Sequence, residues 1–230
     1  MTAPVKMAPA RVYFFVRRLF AVAAWFVFRP KFTGLEHIPK DGPFLVVCNH
    51  ISFFDIPLMF IMQSRRQMVM FCADKWRKVP LVGPFCEMMG VIWVVRGEPD
   101  MDAIKQSLGH LKGGGILAVA PEGTRSHTGP LQPGKTGAAY LADRTNVPIL
   151  PIAVWGQEAT VRNLKRLRRT EVTGVIGQPF GLPPGGRAKS EKLQECTDLI
   201  MCRLAALLPP PYRGVYADHP RLRDLLAEGA

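Results

Sequence analysis

Two short segments hold residues whose types and spacing suit acid–base and anion chemistry. The first, Asn49-His50-Ile51-Ser52-Phe53-Phe54-Asp55, follows the apolar run 44–48 and sets a carboxylate five residues after a histidine. With the histidine at a strand end and the aspartate in the next helical turn, Asp55 orients the ring and stabilises its protonated form, which makes His50 a competent general base. A quieter reading stands beside it. Ser52 and Asp55 have the spacing of a helix capping box, though that box favours Glu or Gln, and His50 is then a hydrogen-bonded loop residue. The second segment is Pro121-Glu122-Gly123-Thr124-Arg125-Ser126, after the run 115–120. Gly123 admits close backbone approach, and Arg125, three residues from Glu122, is placed to offer its fork to a phosphate. The alternative is a plain turn with a surface Glu122–Arg125 pair. Arg96, beyond the run 91–95, and Lys75, beyond 68–72, are lone cations at expected strand ends, open to an anionic ligand or simply to solvent.

Other matches fail on physical grounds. Gly129 to Thr136 formally fits the phosphate-loop pattern GxxxxGK[ST]. Such a loop needs successive backbone N–H groups, and Pro130 and Pro133 have none; the turn-like residues before it are also not a strand. Cys48 lies two residues from His50, but it closes an apolar run and reads as core rather than nucleophile. The five cysteines have no CxxC spacing, so no zinc knuckle and no disulfide framework is expected.

The elements that must position these residues alternate. Apolar, β-branched runs at 44–48, 68–72, 91–95, 115–120, 149–154 and 172–176 predict strands, and 53–63, 99–111, 134–145 and 189–208 predict helices. That alternation predicts a single α/β domain with a mostly parallel mixed sheet flanked by helices, and ligands collect at the strand-to-helix junctions of such sheets. With 230 residues, 48% of them hydrophobic, one buried core is expected rather than two. The expected division is an N-terminal membrane-interface helix at 1–29, a catalytic domain at 30–208 and a surface tail at 209–230 that opens on three prolines.

Residues 12–28 are almost wholly apolar yet carry Arg17 and Arg18. A helix of that length reaches about 25 Å, short of the roughly 30 Å hydrocarbon core. Helical spacing puts Arg11, Arg18 and Arg29 on one stripe with Trp25, so the segment is expected to lie in the headgroup region; a short or tilted span and a core helix are the alternatives. The net charge of +12 points to anionic partners. Residues 162–169, with Arg162, Lys165, Arg166, Arg168 and Arg169, read as a solvated loop, as a site for anionic headgroups or as a nucleic-acid patch, the last weakened by the lack of interleaved aromatics.

These motifs stand in the order and spacing of a known family. The sequence resembles the bacterial 1-acylglycerol-3-phosphate acyltransferases of the glycerolipid acyltransferase superfamily: His50 and Asp55 match HxxxxD, with Asn49 and Ser52 as its usual companions. Residues 90–96 (GVIWVVR) look like the second block, with Val95 where many members have an acid; 121–126 match PEGTRS, and 147–154 (VPILPIAV) look like the fourth block. The resemblance implies that His50 is the base and Asp55 its orienter. It further implies that Gly123, Arg125 and Arg96 bind the acceptor phosphate and that Glu122 shapes that site; Thr124 and Lys75 are further substrate-binding candidates by position. It implies acyl-CoA or acyl-carrier protein as co-substrate, no metal or other cofactor, and a lysophosphatidate-like acceptor yielding phosphatidic acid. The expected partners are those substrates and an anionic membrane surface, not nucleic acid. The expected location is the cytoplasmic face of the inner membrane, peripheral or monotopic. An acyltransferase for another lysophospholipid or lyso-aminolipid, and a non-catalytic membrane-binding protein, are the competing functions.

Overall fold

The computed structural model describes residues 5–62, 66–95, 100–126, 128–183 and 190–228. Arg96, and positions 63, 99 and 189 of the expected helices, lie outside them. The chain runs α1 (Ala10–Val27), β1 (Phe28–Thr33), β2 (Phe44–Cys48), α2 (Asp55–Met62), β3 (Met68–Ala73), α3 (Val82–Met89), β4 (Val91–Val94), α4 (Met101–Lys112), β5 (Ile116–Val119), α5 (Gly137–Thr145), β6 (Ile149–Trp155), α6 (Thr160–Leu164), β7 (Thr170–Ile176), α7 (Ser190–Leu207) and α8 (Pro220–Ala227).

The seven strands form one sheet in the order β1-β7-β6-β2-β5-β3-β4. All neighbours are parallel except β6 and β7. Alternation along β2 shows why the sheet is covered twice. Phe44 and Val46 enter a core with α1 and α2, while Leu45 and Val47 enter another with α4, α5 and α7. A strand buried on both faces reads as a continuous apolar run, and β2, β3, β5 and β6 were legible for that reason.

The antiparallel step has a functional consequence. Because β7 reverses against β6, and β1 runs with β7, the starts of β1 and β7 lie at the same sheet edge as the C-terminal ends of β2 to β6. That edge therefore carries His50 after β2, Lys75 after β3, Glu122 after β5, and also the last turn of α1 and the loop leading into β7.

Two expectations are corrected. Residues 28–33 form a strand that pairs with β7, so α1 stops at Val27 and Arg29 does not share its helical stripe. Pro30 is tolerated because β1 is an edge strand. The chain after 208 is not a surface tail: two 3-10 turns and α8 pack on α7, burying Tyr216, Leu222 and Leu225. Among the described residues no helix is long and apolar enough to cross a membrane. α1 instead buries Tyr13 and Ala24 and leaves Val12, Phe15, Leu19, Val22, Trp25 and Phe26 exposed.

Candidate active site

The histidine and aspartate meet, and the capping box forms with them. Ser52 Oγ accepts the Phe54 N–H at 3.2 Å, and Asp55, the first residue of α2, reaches back to the N–H of Ser52 at 3.0 Å. The same carboxylate oxygen accepts the Ile51 N–H at 3.0 Å and lies 2.6 Å from His50 Nδ1. An ionised carboxylate only accepts, so Nδ1 carries the proton and Nε2 presents its lone pair. The two readings of this segment were not alternatives: the cap that starts α2 also orients the ring.

Two neighbouring strands hold the segment from outside. Asn49, buried at the end of β2, donates to Val154 O at 2.7 Å and accepts from Val154 N at 2.8 Å, tying the histidine's neighbour to β6. The His50 N–H donates to Glu122 Oε1 at 3.1 Å, and the His50 carbonyl accepts the Ser126 N–H at 2.7 Å. Asp55 Oδ1 receives the Gln157 amide at 2.8 Å. Gln157 is fully buried just beyond β6, and no spacing rule in the sequence pointed to it.

Glu122 is a brace rather than an arginine holder. It is buried, no ion pair joins it to Arg125 among the described residues, and its second oxygen accepts the Gln132 N–H at 2.9 Å. Burial pushes its carboxyl above the usual range, partly offset by those backbone N–H groups and the nearby His50. Gly123 has φ +70, a left-handed backbone that glycine adopts without strain, and an added Cβ would sit 2.9–3.1 Å from the Lys135 side-chain end. Thr124 and Arg125 follow half-buried, Lys135 lies over Gly123, and among the described residues neither Arg125 nor Lys135 pairs with a carboxylate. Lys75 lies in the 3-10 turn after β3, exposed, its Nζ 5.5 Å from the Trp76 ring.

Lys135 belongs to the segment that mimics a phosphate loop, and the structure shows what that segment does. The N–H groups of Leu131, Gln132, Gly134 and Lys135 go to Tyr212 O, Glu122, Tyr216 Oη and Pro121 O, so the backbone is spent inside the protein. The loop is a strap that lays the Lys135 side chain over Gly123, and the C-terminal residues hold it there. Cys48 Sγ is 3.9 Å from Val119 O, and burial together with Asp55 and Glu122 pushes its thiol up, which suits a core cysteine and not a thiolate. A separate cavity of about 710 Å³ lies on the β3–β4 side, lined by Asp74, Arg77, Glu87, Trp93 and Asp102, without His50.

A family model described as Acyltransferase matches residues 29–155, more than half of the chain, a span that includes His50, Asp55 and Glu122. The chain belongs to the acyltransferase family. Its relatives in that family include the chloroplastic 1-acyl-sn-glycerol-3-phosphate acyltransferase BAT2 of Brassica napus, 34% identical over 151 residues that cover 64% of this chain and 43% of that one. The 1-acyl-sn-glycerol-3-phosphate acyltransferase of Borreliella burgdorferi is 31% identical over 129 residues, 54% of this chain and 50% of that protein. The chain thus spans about half or less of the length of these relatives. The crystal structure of the 1-acyl-sn-glycerophosphate acyltransferase PlsC of Thermotoga maritima superposes with a TM-score of 0.63 at 28% identity, over 82% of this chain and 76% of that one.

Proposed function

We propose that this protein transfers a fatty acyl group from acyl-CoA or acyl-carrier protein to the sn-2 hydroxyl of 1-acylglycerol-3-phosphate, giving phosphatidic acid. One observation carries the reading. The His50–Asp55 pair, with Nε2 free of any hydrogen bond among the described residues, lies beside a turn that presents Arg125 and Lys135 without acidic partners. Nε2 takes the proton of the acceptor hydroxyl as its oxygen attacks the thioester carbonyl. Asp55 stabilises the imidazolium that forms. The tetrahedral intermediate collapses with cleavage of the C–S bond, and the imidazolium returns the proton to the leaving thiolate. The products are an ester and a free thiol, with no acyl-enzyme and no metal required, because a thioester is already an activated donor. Arg125 and Lys135, with Arg96 and Lys75, supply the charge for the acceptor phosphate, and Gly123 lets it approach the backbone.

Both substrates are amphipathic, and the exposed apolar face of α1, from Phe15 to Phe26, supports peripheral docking at the cytoplasmic face of the inner membrane. Thiol release from palmitoyl-CoA or acyl-carrier protein, with and without lysophosphatidate, tests the chemistry. Acceptor-dependent release that falls at least about 10³-fold in His50→Ala, with folding intact, is expected. Near-native turnover in that variant removes the base, and release driven better by another lysolipid reassigns the acceptor.

A further inference from the structure

The loop between α6 and β7 carries a residue that neither packing nor backbone preference explains. Leu167 is 97% exposed and sits at φ +52. A leucine pays for the left-handed region where glycine or asparagine would not, and it gains nothing from burial within this chain. The conformation is nevertheless fixed. Leu167 N donates to Leu164 O at 3.0 Å, Arg166 N and Arg168 N both donate to Asn163 O at 2.9 Å, and Asn163 Nδ2 donates to Thr170 Oγ1 at 3.2 Å. Such strain at a well-determined surface position is a signal of use.

Its surroundings say what use. Val161 and Leu164 are exposed beside it, and Arg162, Lys165, Arg166 and Arg168 surround the tip, exposed and without ion-pair partners among the described residues. No acidic residue lies within 160–170. Arg169 runs the other way: its guanidinium donates to Phe28 O and lies 4.8 Å over the Trp25 ring. The loop is thereby fastened to the last turn of α1, at the sheet edge where His50 emerges.

We propose that the α6–β7 loop is a second lipid contact, in which Leu167 enters the acyl region of an anionic bilayer while the flanking cations take lipid phosphates. The inference rests on the peripheral-membrane reading above and extends it from α1 to a particular loop. An aliphatic tip within a cationic ring matches a surface that is anionic outside and hydrocarbon beneath. A nucleic-acid backbone offers a leucine nothing, and the loop has no aromatic ring to stack on bases.

The test is flotation of the full chain with vesicles of phosphatidylglycerol in phosphatidylcholine, against phosphatidylcholine alone. Leu167→Gly is the main variant, because glycine favours the existing backbone and keeps the fold. It is expected to weaken binding to the anionic vesicles about tenfold or more, with a Tm equal to or above that of the parent. Arg166→Glu with Arg168→Glu is expected to weaken binding and flatten its salt dependence. Native binding by Leu167→Gly, alongside loss in Leu19→Asp, overturns the loop while leaving α1 docking in place. Failure of the unsubstituted chain to float removes the membrane reading and the loop with it, whereas the acyl-transfer reading is judged separately by thiol release. Equal binding to phosphatidylcholine alone overturns the role of the cations. A self-association that Leu167→Gly abolishes, with vesicle binding unchanged, gives the face to a second copy of the chain.

Discussion

Asp55→Asn separates the charge of the orienting residue from its geometry. The wild-type carboxylate accepts four donors: His50 Nδ1, Ile51 N and Ser52 N on one oxygen and the Gln157 amide on the other. Asparagine keeps one oxygen for the first three and turns its NH₂ toward Gln157. Among the described residues Gln157 Oε1 is buried without a partner, so a flip of that amide offers an acceptor where a donor stood and gives up only the long 3.4 Å contact of Nε2 with Val154 O. The fold should therefore lose no more than about 1–2 kcal/mol, a Tm drop of roughly 2–8 °C for a chain of this size. Asp55→Ala, which removes the acceptor of all four donors at once, should cost several times more. Turnover behaves differently. Unit charges about 4 Å apart at an effective dielectric near 20 interact by about 4 kcal/mol, and the partial exposure of the His50 ring lowers that to about 3. Loss of that attraction to the imidazolium is a fall in kcat of about 10²-fold, read as thiol release at saturating acceptor, with circular dichroism reporting Tm. A fall below tenfold with Tm intact would show that the Asp55 charge does not act on the reacting histidine. A Tm as low as that of Asp55→Ala would show that Gln157 does not turn.

Gly123→Ala forces a Cβ onto a left-handed backbone and against Lys135, so it should destabilise the turn by about 1–2 kcal/mol and raise the apparent KM for lysophosphatidate. Lys135→Ala should raise that KM at least about tenfold with Tm unchanged, and an unaltered KM would remove Lys135 from the phosphate site. Glu122 titrates higher in the folded chain than in the unfolded one, chiefly through burial. Its contribution is present below about pH 4.5 and lost as pH rises through the raised folded value, so the Tm advantage of the parent over Glu122→Gln should shrink from pH 4 to 7; a widening gap contradicts this. Cys48→Ala should retain near-native turnover, and acyl label trapped on Cys48 would refute direct transfer.

What the sequence disclosed follows from how far apart the cooperating residues lie. His50 and Asp55 are five residues apart, inside one turn, and that spacing already encodes their meeting. Gln157 completes the same carboxylate from 102 positions beyond Asp55, and Asn49 binds Val154 across 105, so neither contact leaves a local pattern. Lys135 was visible only as part of a phosphate-loop pattern rightly set aside, and its path over Gly123 depends on Tyr212 and Tyr216 far downstream. The buried strands were legible because both their faces are apolar. β1 was not, since an edge strand reading Phe-Arg-Pro-Lys-Phe-Thr carries two cations and a proline. α3 was not among the expected helices: it is short and contains Gly83 and Pro84, and Pro84 is tolerated because it stands in the first turn, where no N–H partner is lost. Residues 209–228 were misjudged from their prolines, although Leu222 and Leu225 at i, i+3 spacing mark the buried face of a helix.

The long separations also govern when the site comes into being. During synthesis His50, Asp55 and the capping turn emerge early, but the groups that seal them arrive only with β6 and Gln157, and the strap over Gly123 is secured only once Tyr216 has been made. Such distant pairings carry a large loop-closure cost and form late. The site is thus assembled from its most distant parts last.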